Sequence, residues 1–290
     1  MTALQFGVML FPDSAIPELT SRMKQAEALG FDQLYLPDHI GDPRGLAGDW
    51  YDTWTLLAVA ATLTRRVRIG TLVANPILRP PAATAAHAMT LDHLSDGRLD
   101  LGLGAGIFGF DHQAVGTTTW PARERMERFA EYTQIVDGIL RGAGAPFSFH
   151  GRWLSAHDVP TAPGPVQRPR PPIVLGGQSP TVLRVAAERA EVWNTHGPLH
   201  ADIDDLVAIT GRQNRRLDDM CTAAGRDPTT LRRSLTLFGA TDPWTTSAPL
   251  EQTVERFTQV GIEGFVIHWP PTHRSSEIER LAMDVIPTLR

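Results

Sequence analysis

Cysteine is almost absent from this chain: Cys221 stands alone among 290 residues. No internal disulfide can form, and no thiolate cluster is available for a metal. Cys221 itself reads as a half-buried helix residue. Long apolar runs are missing too. None approaches the ~20 residues that a membrane helix needs, and the start of the chain has no basic-then-apolar leader, so a cytoplasmic location away from the membrane is expected. Basic runs are equally absent, and the formal net charge is −5. Nucleic acid, which calls for a positive stripe, is disfavoured as a partner. A small anionic ligand is not, because backbone N–H groups bind phosphate locally.

Several catalytic signatures are also lacking. There is no P-loop lysine motif, which disfavours nucleotide hydrolysis. There is no Gly-x-Ser-x-Gly elbow for a serine nucleophile. No His-x-His pair lies on a strand, so His39, His196 and His268 do not make a convincing metal site. Only Asp38 is clearly an acid at a strand end, which argues against a pair of glycosidase carboxylates. Asp38 reads instead as a structural acceptor.

What is present is an ordinary globular composition, 42% apolar and 20% charged, with a rhythm of short apolar runs and helical stretches. The stretch from Leu91 to Gly106 shows one unit of it. A helix ends, Ser95-Asp96-Gly97 turns, and Leu99-Asp100-Leu101-Gly102-Leu103 runs into a glycine series. Such a strand can be packed on both faces, and its glycines allow a close approach to the backbone. Strands are expected at 5–10, 33–37, 67–73, 99–104, 173–177, 191–195, 235–238 and 265–269. Helices are expected at 16–29, 53–63, 81–94, 122–141, 180–190, 203–224, 250–260 and 276–286, with Asp52 and Ser179 as caps. On the long fourth helix, Glu124, Arg128 and Glu131 mark a solvated face. The Pro- and Gly-rich segment 142–172 interrupts the rhythm and reads as an insertion with a small hairpin.

Eight strands alternating with eight helices, with no break in composition, predict a single α/β domain over 1–290: a (β/α)8 TIM barrel with an insertion before its fifth strand. A doubly wound sheet would need a glycine fingerprint after the first strand, where the chain has Phe11-Pro12-Asp13. A barrel carries its functional groups at the carboxyl ends of its strands. That places Phe11, Asp38, His39 and Asn75 on the candidate rim. With them come Gly104, Gly106, Gly176, Gly177, Gln178 and Ser179, then Asn194, His196, Gly239, His268 and Trp269. At Gly176-Gly177-Gln178-Ser179-Pro180 a strand turns into a helix, whose free N–H groups either hold a phosphate or simply make a capped turn. Phosphate-holding glycines, few rim acids and apolar walls from Phe11, Trp50, Phe108, Phe110 and Trp269 suit a site where a redox cofactor carries the chemistry.

The ordered series of motifs resembles the bacterial-luciferase-like family of flavin- and deazaflavin-dependent oxidoreductases. The matching pieces are Ala28-Leu29-Gly30-Phe31-Asp32 with Asp38-His39, then Arg68-Ile69-Gly70-Thr71-Leu72-Val73. Thr90-Leu91-Asp92-His93-Leu94-Ser95-Asp96-Gly97-Arg98-Leu99 follows, leading into Leu101-Gly102-Leu103-Gly104-Ala105-Gly106. Pro171-Pro172-Ile173-Val174-Leu175-Gly176-Gly177 and Ala190-Glu191-Val192-Trp193-Asn194 complete it. The resemblance implies a cofactor ring near His39, Thr71, Val73, Asn75 and Gly106, and a cofactor phosphate near Gly176, Gly177 and Ser179. It also implies a cis or strained non-proline peptide between Leu72 and Asn75. Coenzyme F420 is the implied cofactor, with FMN as the alternative. One departure is visible: where many deazaflavin-type members have Trp or Tyr followed by an acid, this chain has Ile107-Phe108-Gly109-Phe110-Asp111. A more apolar pocket is expected there.

These readings lead to an F420-dependent oxidoreductase that moves a hydride between the deazaflavin and a small organic substrate. His39 is the catalytic candidate, because histidine ordinarily titrates near neutrality and can give or take a proton. An FMN monooxygenase fed by a partner reductase is the alternative, and a silent cofactor-binding protein on the same barrel is a third reading. A homodimer is expected from family habit, with the alanine-rich helix from Pro81 either at its interface or against its own barrel.

Overall fold

The computed structural model describes residues 3–290. Eight parallel strands close into a barrel: β1 (Gln5–Met9), β2 (Gln33–Leu36), β3 (Arg68–Thr71), β4 (Leu99–Leu103), β7 (Ile173–Gly176), β8 (Val192–Thr195), β9 (Arg232–Thr236) and β10 (Gly264–His268). Around the ring they run β1-β2-β3-β4-β7-β8-β9-β10, and β10 pairs back to β1 with Phe6 beside Phe265. Between them lie α1 (Ile16–Ala28), α2 (Thr53–Leu63), α3 (Pro81–Leu94), α4 (Gly109–Ala114), α5 (Ala122–Arg141), α6 (Pro180–Arg189), α7 (Ile203–Ala223) and α8 (Leu250–Thr258). The strands are buried on both faces, as the apolar runs require. Met9, Tyr35, Leu72, Val174, Val192 and Val266 fill the barrel, and a larger apolar layer lies between strands and helices. Among the described residues no helix is long and apolar enough to cross a membrane.

Local chemistry sets the element ends. Pro17 sits in the first turn of α1, and Gly30 ends it at φ +78°. Asp52 caps α2 through the Thr55 N–H at 2.8 Å, and the Ser179 hydroxyl caps α6 by accepting from the Val182 N–H. Ala85 and Ala88 of α3 turn inward and are fully buried, which lets the helix lie close to its own barrel.

Three expectations about the strands and helices need correction. The seventh barrel strand lies at Arg232–Thr236, not at 235–238. It opens on two arginines, which carry no apolar strand signal. Arg233 is 9% exposed, and its guanidinium is tied to Asp218 and to the Pro228 carbonyl. The loop 107–121 contains the helix α4, too short and too glycine-rich at its start to show a period. The last helix is not continuous: α9 (Ser275–Arg280) passes through a π-helical turn (Leu281–Val285) into α10 (Ile286–Leu289). Pro287 has no N–H to give to a regular ladder.

The glycine series after Leu99 admits the protein's own neighbouring strand. A Cβ on Gly102 would sit inside the Thr71 carbonyl, and one on Gly70 inside the Asp100 carbonyl. The Thr71 hydroxyl then donates to the Gly102 carbonyl at 2.7 Å. β3 and β4 therefore run closer than side chains would permit.

The insertion is a hairpin, β5 (Phe147–His150) and β6 (Ser155–Val159), on α5. The turn is pinned by Glu131, whose carboxylate accepts from the N–H groups of Arg152, Trp153 and Leu154 at 2.8–2.9 Å. Glu131 was expected on a solvated face and instead anchors this loop; Arg128 and Glu124 do pair on the helix surface. At the base of the insertion the buried Arg170 bridges Asp137 and Glu191 at 2.5 and 2.6 Å. Burial pushes the Asp137 carboxyl up, but Arg170 and Arg141 hold it below the ordinary range. Asp137→Ala takes the acceptor from the buried Arg170 Nε–H and leaves Glu191 as its one remaining carboxylate, so it is expected to cost about 2 kcal/mol or more. A denaturant midpoint within error of the parent would contradict that.

Candidate active site

All the strand ends gathered by sequence fall on one rim, because the strands are parallel. His39 follows β2, Val73 and Asn75 follow β3, Gly106 follows β4, and Gly177 and Ser179 follow β7. Thr71 ends β3 and Gly176 ends β7. These four strands are consecutive neighbours in the barrel, so the eight residues share one arc. The Leu72–Val73 peptide is cis, inside the segment where the resemblance placed it. The Val73 side chain reaches across two neighbouring strands: a Cβ on Gly104 would collide with it, and one on Gly176 would lie 2.8 Å from its Cγ1. Three strand ends thus form a low platform of small residues.

His39 stands at the edge of this platform, its side chain 18% exposed. Its Nδ1 lies 2.9 Å from Oδ2 of Asp111, a carboxylate with no exposure. An ionised carboxylate only accepts, so Nδ1 carries the hydrogen and Nε2 is left for a ligand. Asp111 also accepts from the Ile40 N–H at 3.1 Å and from Asn75 Nδ2 at 2.8 Å. The Trp50 indole donates to the His39 carbonyl at 2.9 Å. Ring, backbone and following residue of His39 are therefore all held.

Asn75 is held equally firmly. Its N–H donates to Asp38 at 3.0 Å, and its Oδ1 accepts from the Ile77 N–H at 3.1 Å. One amide hydrogen and one lone pair of the side chain stay available. Gly106, at φ +66°, makes room for it: a Cβ there would lie 2.8 Å from Asn75 Oδ1. Asp38 is a structural acceptor, bound by Arg79 at 2.7 and 2.8 Å and by the Trp54 indole at 3.2 Å. Burial raises its carboxyl above the ordinary value, with Arg79 working against it. The Thr71 hydroxyl is committed to the Gly102 carbonyl, as described above.

At the β7 end, Gly177 has φ +138°, its N–H donates to the Asn194 carbonyl at 3.1 Å, and its own carbonyl accepts from the Trp193 indole at 2.8 Å. Ser179 Oγ caps α6 and lies 3.0 Å from the Met126 sulfur. The turn leaves the N–H groups of Gln178 and Ser179 for an anion. Asn194 is occupied by Ser234 and Thr236.

Across the mouth, His268 Nε2 pairs with Asp242 at 3.1 Å while Nδ1 lies 3.2 Å from the Trp269 carbonyl. Burial pushes the Asp242 carboxyl up, but His268 and the Trp244 N–H hold it below its ordinary value. His196 is different: its Nδ1 is buried without a partner, and burial pushes the ring below the usual histidine range. Below about pH 6.5 an unfolded His196 takes a proton that the folded one refuses. Stability is therefore expected to fall as pH drops through that region, and the slope to flatten in His196→Phe. Superimposable stability–pH curves for the two proteins would contradict this.

The sequence reading missed Asp111 as a partner for His39 and missed Arg79 altogether. Asp111 had a signal, being the one carboxylate in 107–121. Arg79 had none.

The family described as luciferase-like monooxygenase matches residues 2–259. The chain belongs to the luciferase-like monooxygenase family. Members and relatives of this family use coenzyme F420 or FMN as oxidoreductases and monooxygenases. A similar luciferase-like sequence is the F420-dependent glucose-6-phosphate dehydrogenase of Intrasporangium calvum, 28% identical, with 94% of this chain and 95% of that one covered. Among solved structures, an F420-dependent secondary alcohol dehydrogenase in complex with an F420–acetone adduct superposes with TM-score 0.82 at 19% identity, over 100% of both chains. The FMN-bound oxygenating constituent of 3,6-diketocamphane monooxygenase from Pseudomonas putida gives 0.73 at 16% identity, covering 100% of this chain and 99% of that one. The two structures agree with the luciferase-like barrel as a fold.

Proposed function

We propose that this chain is an F420-dependent oxidoreductase that transfers a hydride between the deazaflavin and a small organic substrate. The observation that supports it best is His39, fixed through Nδ1 by the buried Asp111, beside the low platform of Val73, Gly104 and Gly176. A flat ring would lie on the Val73 side chain, which fills the space that side chains at Gly104 and Gly176 would otherwise take. The N–H groups of Gln178 and Ser179, with Gly176 and Gly177 letting a ligand close, would hold the phosphate. His39, Thr71, Val73, Asn75 and Gly106 would border the ring. When bound, the cofactor supplies a carbon centre that gives or takes a hydride, and the protein supplies position and shielding.

The residues then have distinct tasks. His39 Nε2, left unbound while Nδ1 holds Asp111, would handle the proton that accompanies hydride movement. Asp111 keeps the ring in the tautomer that leaves Nε2 available, and would stabilise the imidazolium that forms when His39 takes a proton. Asn75 offers its remaining amide hydrogen. Phe108, Phe110 and Trp50 lie within 5.1–6.3 Å of the His39 ring, centroid to centroid, and keep water from the reacting atoms. A homodimer completes the reading.

The test is titration of the purified protein with F420 and, separately, with FMN. F420 is expected to bind about tenfold or more tightly than FMN, a difference of ~1.4 kcal/mol. The reverse preference, with oxygen consumed on addition of reduced FMN, replaces this reading by the flavin monooxygenase that a partner reductase would feed.

A further inference from the structure

The rim is uneven. On the β3, β4 and β7 side it is low, with Val73, Gly104, Gly106, Gly176 and Gly177. The remaining side carries a continuous series of rings. His196 meets Phe238 edge-on at 6.1 Å between centroids, Phe238 stacks on His268 at 5.5 Å and 20°, and His268 faces Phe11 at 5.9 Å. Phe11 approaches Trp50 at 6.3 Å, and Trp50 approaches His39 at 6.3 Å. The rings come from the ends of β1, β2, β8, β9 and β10, so no single helix or strand period produces the series. Ring pairs at these separations favour another flat π-system over a bulky aliphatic one.

Charge around the same arc leans negative. Asp242 is paired with His268, Asp111 with His39, and Asp38 with Arg79. Asp13 and Asp42 share Arg44, whose guanidinium lies 4.2 Å from the Phe11 centroid. An anion entering here would give up water and meet carboxylates, with no free cation among these groups. Two features are left over. Nδ1 of His196 has no partner, on a ring that burial keeps from its proton. Ile40, Ile107 and Leu199 stand 53–60% exposed on loops of this mouth.

We propose that the substrate is a planar aromatic or conjugated molecule that bears no negative charge and carries one carbonyl or hydroxyl, its plane held by Phe238, His268 and Phe11 and its oxygen hydrogen-bonded to His196. The assignment rests on the hydride-transfer reading for its chemistry, while the binding geometry belongs to this chain's own residues.

Calorimetry on the protein, with and without F420, tests it using three probes and, for the His196 variant, 2-ethylnaphthalene, which lacks the oxygen. 2-Acetonaphthone is flat, neutral and carbonyl-bearing; 2-naphthoate adds a charge; cyclohexyl methyl ketone keeps the carbonyl and loses the plane. 2-Acetonaphthone is expected to bind about tenfold or more tightly than either of the others. Phe238→Leu is expected to remove most of its advantage over the cyclohexyl ketone. His196→Phe, which keeps a ring, is expected to remove its advantage over 2-ethylnaphthalene. No binding of 2-acetonaphthone to the wild-type protein, or binding no tighter than 2-naphthoate or the cyclohexyl ketone, overturns the proposal. F420 titration of the same samples separates the two claims: failure to bind F420 or FMN defeats the redox reading, whereas the probe ranking decides the substrate class.

Discussion

Turnover in His39→Ala is expected to fall by about 10² to 10⁴, the loss that follows removal of a positioned acid–base group. The fold should barely notice. The side chain is partly exposed, and its Asp111 partner keeps the Ile40 N–H and the Asn75 amide after truncation, so no buried charge is abandoned. Steady-state oxidation of reduced F420 by a carbonyl substrate gives the first quantity, and a thermal melt gives the second. Proportional losses of rate and stability would make His39 a packing residue. Asp111→Ala should behave differently, because it strips a buried acceptor from three donors at once and leaves them unpaired.

A second large effect is expected at Gly102, with no ligand involved. Alanine there drives a Cβ into the Thr71 carbonyl, which is backbone on the adjacent strand and has no rotamer to yield. Relief requires β3 and β4 to separate, which also weakens the Thr71 hydroxyl bond to Gly102. The expected cost is about 3 kcal/mol or more, a fall in Tm on the order of 10 °C for a chain of this size. Gly45→Ala is the control, since a Cβ on Gly45 meets nothing within 4 Å. If Gly102→Ala and Gly45→Ala melt alike, the close approach of β3 to β4 is not what the glycines serve.

The barrel was legible where local signals agree with tertiary demands. Pro81 to Leu94 and Ala122 to Arg141 come out at the expected ends, because a proline opens or precedes each helix and a turn or glycine closes it. The seventh barrel strand was displaced because Arg232 and Arg233 hide a strand start whose charges are met by Gln5, Asp218 and a carbonyl of a 3-10 turn. The rule that function gathers at strand ends was enough to put His39, Asn75 and Gly176 on one rim. It could not supply the bond that organises them. Asp111 meets His39 from 72 positions away, by way of a six-residue helix with no hydrophobic period. Likewise the glycines could be read as permitting close approach, but what approaches Gly102 and Gly104 is β3 and Val73, which no spacing within one strand reveals.

A planar redox cofactor is expected on the Val73 platform, with its phosphate at the β7–α6 turn. A crystal structure of the protein with F420 measures this most directly. The ring is expected against Val73 and His39 and the phosphate over Gly176, Gly177 and Ser179. A cofactor seated instead in the cavity at the opposite mouth, among Tyr35, Asp100 and Arg232, would contradict it.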